Sequence, residues 1–133
     1  MKAKFIPSVI AVFFTNMILS FLQHAVILHG DYLKLPGVMR SDDDSAHFMG
    51  YMMLGQFLLS AAFAWMYQNG KEDKPWLGQG LRFGLAAALL STIPHHLIYH
   101  AVAQFPFDLL VKQVVIDLPV MLAMGLVVAR INK

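Results

Sequence analysis

The chain has 133 residues, of which 58% are hydrophobic and 14% are charged, and its formal net charge is +2. A soluble domain carries about 25% charged residues, so this is the composition of a membrane protein, and its lysines and arginines flank apolar runs, which argues against nucleic acid as a partner. Cysteine is absent, which excludes disulfides, thiolate metal sites and cysteine nucleophiles.

Four apolar runs are each long enough to cross a bilayer core of about 30 Å. They cover approximately residues 5–28, 46–68, 77–103 and 109–131. The sequence therefore predicts an all-α polytopic membrane protein, in which residues 1–133 form one bundle of four transmembrane helices in a lipid bilayer. The opening Met1-Lys2-Ala3-Lys4 is similar to the start of a signal peptide, but the apolar run that follows exceeds an h-region of about 7–15 residues and ends without a clear cleavage site. We expect it to remain as the first span.

The first span gathers its few polar residues on one side. With about 100° of rotation per residue, Met17, Ser20 and His24 share one face and Asn16 lies beside it. This side is predicted to face protein. The segment that follows is rich in Asp, Ser, Gly and Pro, which predicts a solvated loop that leads into the next helix.

The third span carries a packing pattern. Gly80, Gly84 and Ala88 repeat at four-residue spacing, which allows a neighbouring helix to approach closely. We predict that these residues form the closest helix contact in the molecule or in an oligomer of it. Further along, Pro94 cannot donate to the carbonyl of Leu90, so a bend is expected just before the histidines that follow.

The fourth span contains the residue that is most costly to bury. Asp117 lies about 13 Å below the start of the span, close to mid-membrane, where an ionisable group needs a partner or a bound proton. Lys112 is about 140° away around the helix and cannot meet it, so Lys112 is expected to extend to the interface. Spans three and four are joined by a short turn, and His96 is at a matching depth. We therefore predict that His96 and Asp117 face the bundle interior and interact.

The distribution of cations predicts the topology. One side of the membrane would carry seven of the ten: Lys2, Lys4, Lys71, Lys74, Arg82, Arg130 and Lys133. The other side would carry three: Lys34, Arg40 and Lys112. By the positive-inside rule both termini are cytoplasmic, and all six histidines then fall in the outer half of the membrane.

These histidines define a candidate site with several interpretations. His96 and His100 lie one turn apart on the same helical face, which suits a shared transition metal. Alternatively, His24 and His96 would be the axial ligands of a haem, or the group would only form hydrogen bonds between helices. The candidate cofactor-binding residues are His24, His96, His100, Asp117 and Tyr99. The candidate metal ligands are His96, His100, His24, His47 and Asp117.

Two stretches and one single residue resemble a family of short bacterial four-span integral membrane proteins of uncharacterised function. They are Gly78-Gln79-Gly80-Leu81-Arg82-Phe83-Gly84, Tyr99 and Val114-Val115-Ile116-Asp117-Leu118. The chain departs from that family in its density of histidines and in having Gln23-His24 where a Trp-Tyr pair is expected. The resemblance implies a four-span fold and no particular activity. We expect a multi-pass protein of a bacterial inner membrane.

Three functions are compatible with these features. The favoured one is an accessory or interaction protein, whose small-residue stripe packs in a larger membrane complex or a homo-oligomer. The alternatives are a transition-metal or haem binding protein, and a small transporter or proton path through Asp117. Sequence motifs for nucleophilic hydrolysis, phosphate binding and dinucleotide binding are absent, so an enzyme is not favoured.

Overall fold

The computed structural model describes residues 3–133, and no strand is present in that range. Met1 and Lys2 lie outside this range. Lys2 is one of the cations used to predict the topology. The helices are α1 (Phe5–Phe21), α2 (His29–Tyr32), α3 (Asp42–His47), α4 (Met49–Gly70), α5 (Trp76–Leu90), α6 (Thr92–Val102) and α7 (Phe107–Ile131). A π-helical segment, Leu22–Ile27, continues α1.

Four stretches of this fold are long and apolar enough to cross a membrane. They are span 1 (Phe5–Ile27), span 2 (Met49–Gly70), span 3 (Trp76–Val102) and span 4 (Phe107–Ile131). The predicted four-helix membrane bundle is confirmed, and each predicted boundary lies within three residues of the observed one. Span 2 starts later than predicted because Phe48 separates it from the short helix α3.

The small-residue stripe of span 3 packs against span 4. Gly80, Gly84 and Ala88 are all buried. A Cβ atom added to Gly84 would lie 2.5 Å from the backbone oxygen of Met121, and one added to Gly80 would lie 2.8 Å from that of Gly125. The two backbones therefore touch, as the spacing predicted.

One end of the bundle is held together by polar side chains, and we call it the termini end. The side-chain amide of Asn132 donates to Ser8 Oγ over 2.8 Å and accepts from Gln68 Nε2 over 2.9 Å. Lys4 Nζ donates to the backbone oxygen of Lys133 over 2.8 Å. The start of span 1, the end of span 2 and the end of span 4 therefore meet at the same end.

The opposite end, which we call the histidine end, is open. Near the termini end, the rings of Phe63 and Tyr67 in span 2 lie 4.8 and 5.2 Å from the ring of Phe83 in span 3. Towards the histidine end, residues 49–55 of span 2 are exposed and α6 contains no buried residue. Spans 2 and 3 therefore diverge as they approach the histidine end.

Span 3 is interrupted where a bend was predicted. Helix α5 ends at Leu90, and Ser91 has backbone angles of φ −120° and ψ −77° before α6 begins at Thr92. The missing donor of Pro94 is consistent with this interruption, because the carbonyl of Leu90 loses its helical partner. The break separates the part of span 3 that packs on span 4 through glycines from the part that carries the histidines.

Candidate functional site

A buried carboxylate joins three of the four spans. Asp117, in span 4, accepts a hydrogen bond from Nε2 of Gln23 in span 1 on one oxygen, and its other oxygen is bonded to Nε2 of His96 in span 3. Asp117 and Gln23 are both buried. The predicted contact between His96 and Asp117 is confirmed, and we call these three residues the Asp117 network.

The face of span 1 that contacts this network is shifted by one residue from the predicted face. The buried polar residues of span 1 are Ser8, Asn16 and Gln23, whereas Met17 is half-buried and His24 is exposed. Asn16 lies seven residues before Gln23, which returns it to nearly the same side of an α-helix, so this stripe was present in the sequence. Asn16 bonds to Gln56 of span 2.

The π-helical segment gives the end of span 1 an unusual shape. Its turns are wider than those of an α-helix. Such segments are rare in proteins, and those that occur often lie at functional sites. It presents Gln23 to Asp117 while His24, the next residue, lines a neighbouring cavity. His24 remains close enough to interact electrostatically with both Asp117 and His96.

Above the Asp117 network lies a second group of hydrogen bonds centred on Tyr32 of α2. Its hydroxyl is 2.6 Å from Nδ1 of His24, and Nε2 of Gln113 donates to it over 3.4 Å. Burial raises the pKa of Tyr32, so its phenol stays protonated. The direction of its hydrogen bond with Nδ1 of His24 follows the tautomer of the imidazole. The two rings are also stacked, with centroids 5.8 Å apart. Sequence reasoning missed Tyr32 because the segment after span 1 was predicted to be a solvated loop and α2 is too short to show a helical pattern.

An ion pair fixes the same segment to span 4. Lys112 Nζ lies 2.8 Å from one oxygen of Asp31, and Lys34 Nζ lies 3.2 Å from the other. The hydrogen bond from Lys112 lowers the pKa of Asp31. Lys112 therefore extends to the surface as expected, and its partner comes from the segment between spans 1 and 2, which the sequence did not reveal.

These groups surround a cavity of about 730 Å³ at the histidine end. Its lining includes His24, His29, Tyr32, His95, His96 and Tyr99. In residues 3–133, the Nδ1 atom of His96 has no protein hydrogen-bond partner. This atom is not completely buried, so it can be reached from outside the protein core. The imidazole of His96 is therefore held on one edge by Asp117 and is free on the edge that can reach the cavity.

The other predicted site residues are placed differently. Nδ1 of His100 donates to the backbone oxygen of Phe105 over 2.6 Å, and His47 is exposed at the end of α3. Tyr99 lines the cavity, and its ring lies 4.5 Å from the ring of His95. The structure thus brings His24, His96, Asp117 and Tyr99 to one region.

The metal shell predicted from His96, His100, His24, His47 and Asp117 is not assembled. Within residues 3–133, no group of three or more His, Cys, Asp or Glu side chains is positioned to hold a metal ion. His96 and His100, the predicted metal-binding pair, have different partners. His100 bonds to a backbone carbonyl, and His96 bonds to Asp117. Equal depth in the membrane did not imply contact.

Comparisons with protein-family models, curated proteins and solved structures find no match to this chain. The resemblance to short bacterial four-span proteins therefore stays a prediction. Function is inferred below from the geometry of the Asp117 network and the cavity.

Proposed function

We propose that this protein is a membrane-embedded binding protein, which takes a small bilayer-borne molecule into the cavity at the histidine end. In this proposal His96 forms the principal hydrogen bond to that molecule. The observation that carries the proposal is the imidazole of His96, which is bonded to Asp117 through Nε2 and has its Nδ1 free beside a cavity.

The carboxylate gives this imidazole a fixed orientation. A histidine with one ring nitrogen bonded to a carboxylate presents its other nitrogen in a set direction, as in metal sites and catalytic triads. An imidazole nitrogen can donate or accept a hydrogen bond, according to its tautomer and charge. His96 is therefore suited to bind a polar group and to exchange a proton with it.

The shape of the bundle supports access from the bilayer. Spans 2 and 3 diverge towards the histidine end, and the cavity between them is also lined by the apolar side chains of Leu33, Met39 and Met52. Its volume lies within the range of about 300–1,000 Å³ that is typical of small-molecule sites. A molecule dissolved in the bilayer would meet this opening directly.

The alternative functions have less support from the geometry. The small-residue stripe that suggested an accessory protein is occupied by span 4 of the same chain. Between the Asp117 network and the termini end the core includes the apolar side chains of Val12, Met121 and Met124. The buried polar residues there, Asn16 and Ser60, have no ionisable group, which favours a site open to one side over a proton path across the membrane. Metal or haem binding stays a prediction.

We also propose that the histidine end faces outwards and both termini lie in the cytoplasm of a bacterial inner membrane. The excess of lysine and arginine near the termini end supports this orientation. A reporter that is active only outside the cytoplasm, fused after Lys133, should be inactive. Activity of that fusion would reverse the orientation.

The binding proposal can be tested with a photoreactive fatty alcohol that carries a diazirine. In proteoliposomes, irradiation should label peptides that line the cavity, including the one that contains Met52. Ala25 also lines the cavity, so Ala25→Trp should obstruct part of it and reduce this labelling. Val26 is 62% exposed and does not line the cavity, so Val26→Trp is the matched control and should leave labelling intact. Equal labelling in both variants would refute the proposal.

A further inference from the structure

We infer that the bound molecule is a lipid-soluble quinone, with one ring carbonyl hydrogen-bonded to His96 and the other to Tyr99. This inference rests on the proposed function and names its ligand. Four observations support it: the depth of the polar groups, the absence of a free cation of fixed charge among the described lining residues, the two free hydrogen-bonding groups on α6 and the aromatic lining.

The depth of the site favours an uncharged ligand. Asp117 lies ten residues after Phe107, the first residue of α7, which corresponds to about 15 Å along the helix. A ligand that reaches His96 therefore places its polar group well below the membrane surface. A charged headgroup would lose its hydration there at a high cost, whereas a neutral carbonyl would not.

Among the described residues that line the cavity, the one cation of fixed charge is paired within the protein, and the carboxylate of Asp42 adds a negative charge. Both oxygens of Asp117 are bonded, to Gln23 and His96. Arg40 also lines the cavity, but its guanidinium is 2.7 Å from Asp44 and lies over the ring of Phe48 at 3.8 Å. A fatty-acid carboxylate would therefore find no free cation of fixed charge, which favours a neutral lipid.

Two free hydrogen-bonding groups lie on one wall of the cavity. His96 and Tyr99 are three residues apart on α6, so their Cβ atoms are neighbours about 5–6 Å apart on one side of the helix. Within residues 3–133, neither Nδ1 of His96 nor the hydroxyl of Tyr99 has a protein hydrogen-bond partner. Each of these two groups can donate to a separate carbonyl, so a ligand with two carbonyls satisfies both of them with acceptors.

The lining also offers flat surfaces for a ring. The rings of His95 and Tyr99 are 4.5 Å apart, and the stacked rings of His24 and Tyr32 lie at the same cavity. Aromatic side chains favour stacked or edge contacts with another ring. An isoprenoid tail would extend through the opening between spans 2 and 3 into the bilayer.

The test uses decylubiquinone as the probe and decylbenzene as its analogue without carbonyls. Isothermal titration in detergent should show binding of decylubiquinone, and this quinone should displace the photoreactive fatty alcohol far better than decylbenzene does. Tyr99→Phe should weaken the affinity about 2- to 12-fold, the loss of one hydrogen bond. Tyr51→Phe is the matched control, because Tyr51 is 77% exposed and does not line the cavity, and it should bind as wild type does.

The outcomes separate this inference from the function on which it rests. If the fatty alcohol labels the cavity but decylubiquinone competes no better than decylbenzene, the quinone assignment is wrong and the binding function stands. If Tyr99→Phe and Tyr51→Phe bind alike, the assignment of Tyr99 is wrong. If the cavity is not labelled at all, both proposals fail. Tyr99 is exposed, so its conservative variant should fold and the comparison does not depend on substitution of His96.

Discussion

Loss of the His96 imidazole should lower the free energy of unfolding of the bundle, because His96 bonds to the buried Asp117. The side chains of His96 and Asp117 are only 13% and 11% exposed. A hydrogen bond to a charged group contributes about 1.5–3 kcal/mol, and its loss leaves one oxygen of a buried carboxyl group without its partner. Because Gln23 still donates to Asp117, we expect His96→Ala to cost about 2–3 kcal/mol.

The coupling between the two residues can be isolated in a double-mutant cycle. Asp117→Asn keeps the shape of the side chain and removes its charge, so the double variant His96→Ala with Asp117→Asn should cost less than the two single variants added together. The expected difference is about 1–2 kcal/mol, within the range for residues in direct contact. Unfolding by SDS in mixed micelles, followed by helical circular dichroism, measures each free energy.

His95 provides the matched control for this cycle. It is the neighbouring residue on α6 and is exposed, and it makes no hydrogen bond to Asp117. His95→Ala and Asp117→Asn should therefore be additive to within about 0.5 kcal/mol. Additivity in the His96 cycle as well, or equal coupling in both cycles, would refute the buried interaction and remove the support for an oriented His96.

Two further predictions concern packing and pH. Gly84→Ala should destabilise the bundle by about 1–3 kcal/mol in the same SDS titration, because its Cβ would overlap the backbone of span 4. A Cβ at Gly78 meets nothing within 4 Å, so Gly78→Ala should be neutral or slightly stabilising. Equal effects of the two variants would mean that the two spans do not touch at Gly84. The ion pair between Asp31 and Lys112 lowers the pKa of Asp31, so its stabilising effect is complete above the unfolded value of about 3.9 and is lost as the pH falls through the lower folded value. A spin label at a single cysteine in place of Leu33 should become more mobile on that acidification, and Lys112→Met should remove most of this change.

The spans and their closest packing could be predicted because a bilayer imposes strong local patterns on a sequence. Each span needs a long apolar run, and close helix contact in lipid needs small residues one turn apart. The sequence analysis identified Gly80 and Gly84 but not their partners. Gly125 and Ala129 in span 4 are also four residues apart, so the same rule applied to span 4 identifies the opposite surface.

The contact between His96 and Asp117 was predictable for a different reason. A carboxylate in the middle of an apolar helix must find a partner, and a short connection makes spans 3 and 4 antiparallel neighbours of matched depth. Gln23 was missed because helical periodicity gives the relative angles of residues but not the absolute orientation of span 1. Depth alone also suggested His47 and His100, which the structure places apart from Asp117.

The bundle combines a rigid half with an open half, and the site lies where they meet. At the termini end, glycine contacts and the bonds of Asn132 fix the helices, so this half acts as a frame. At the histidine end, α6 has no buried residue, and within residues 3–133 the hydrogen bonds that link it to span 1 are those of the Asp117 network. Regions with few buried contacts open at the lowest free energy and commonly carry binding sites. The interruption at Ser91 therefore allows α6 to adjust to a ligand while the contact of Gly84 with span 4 stays unchanged.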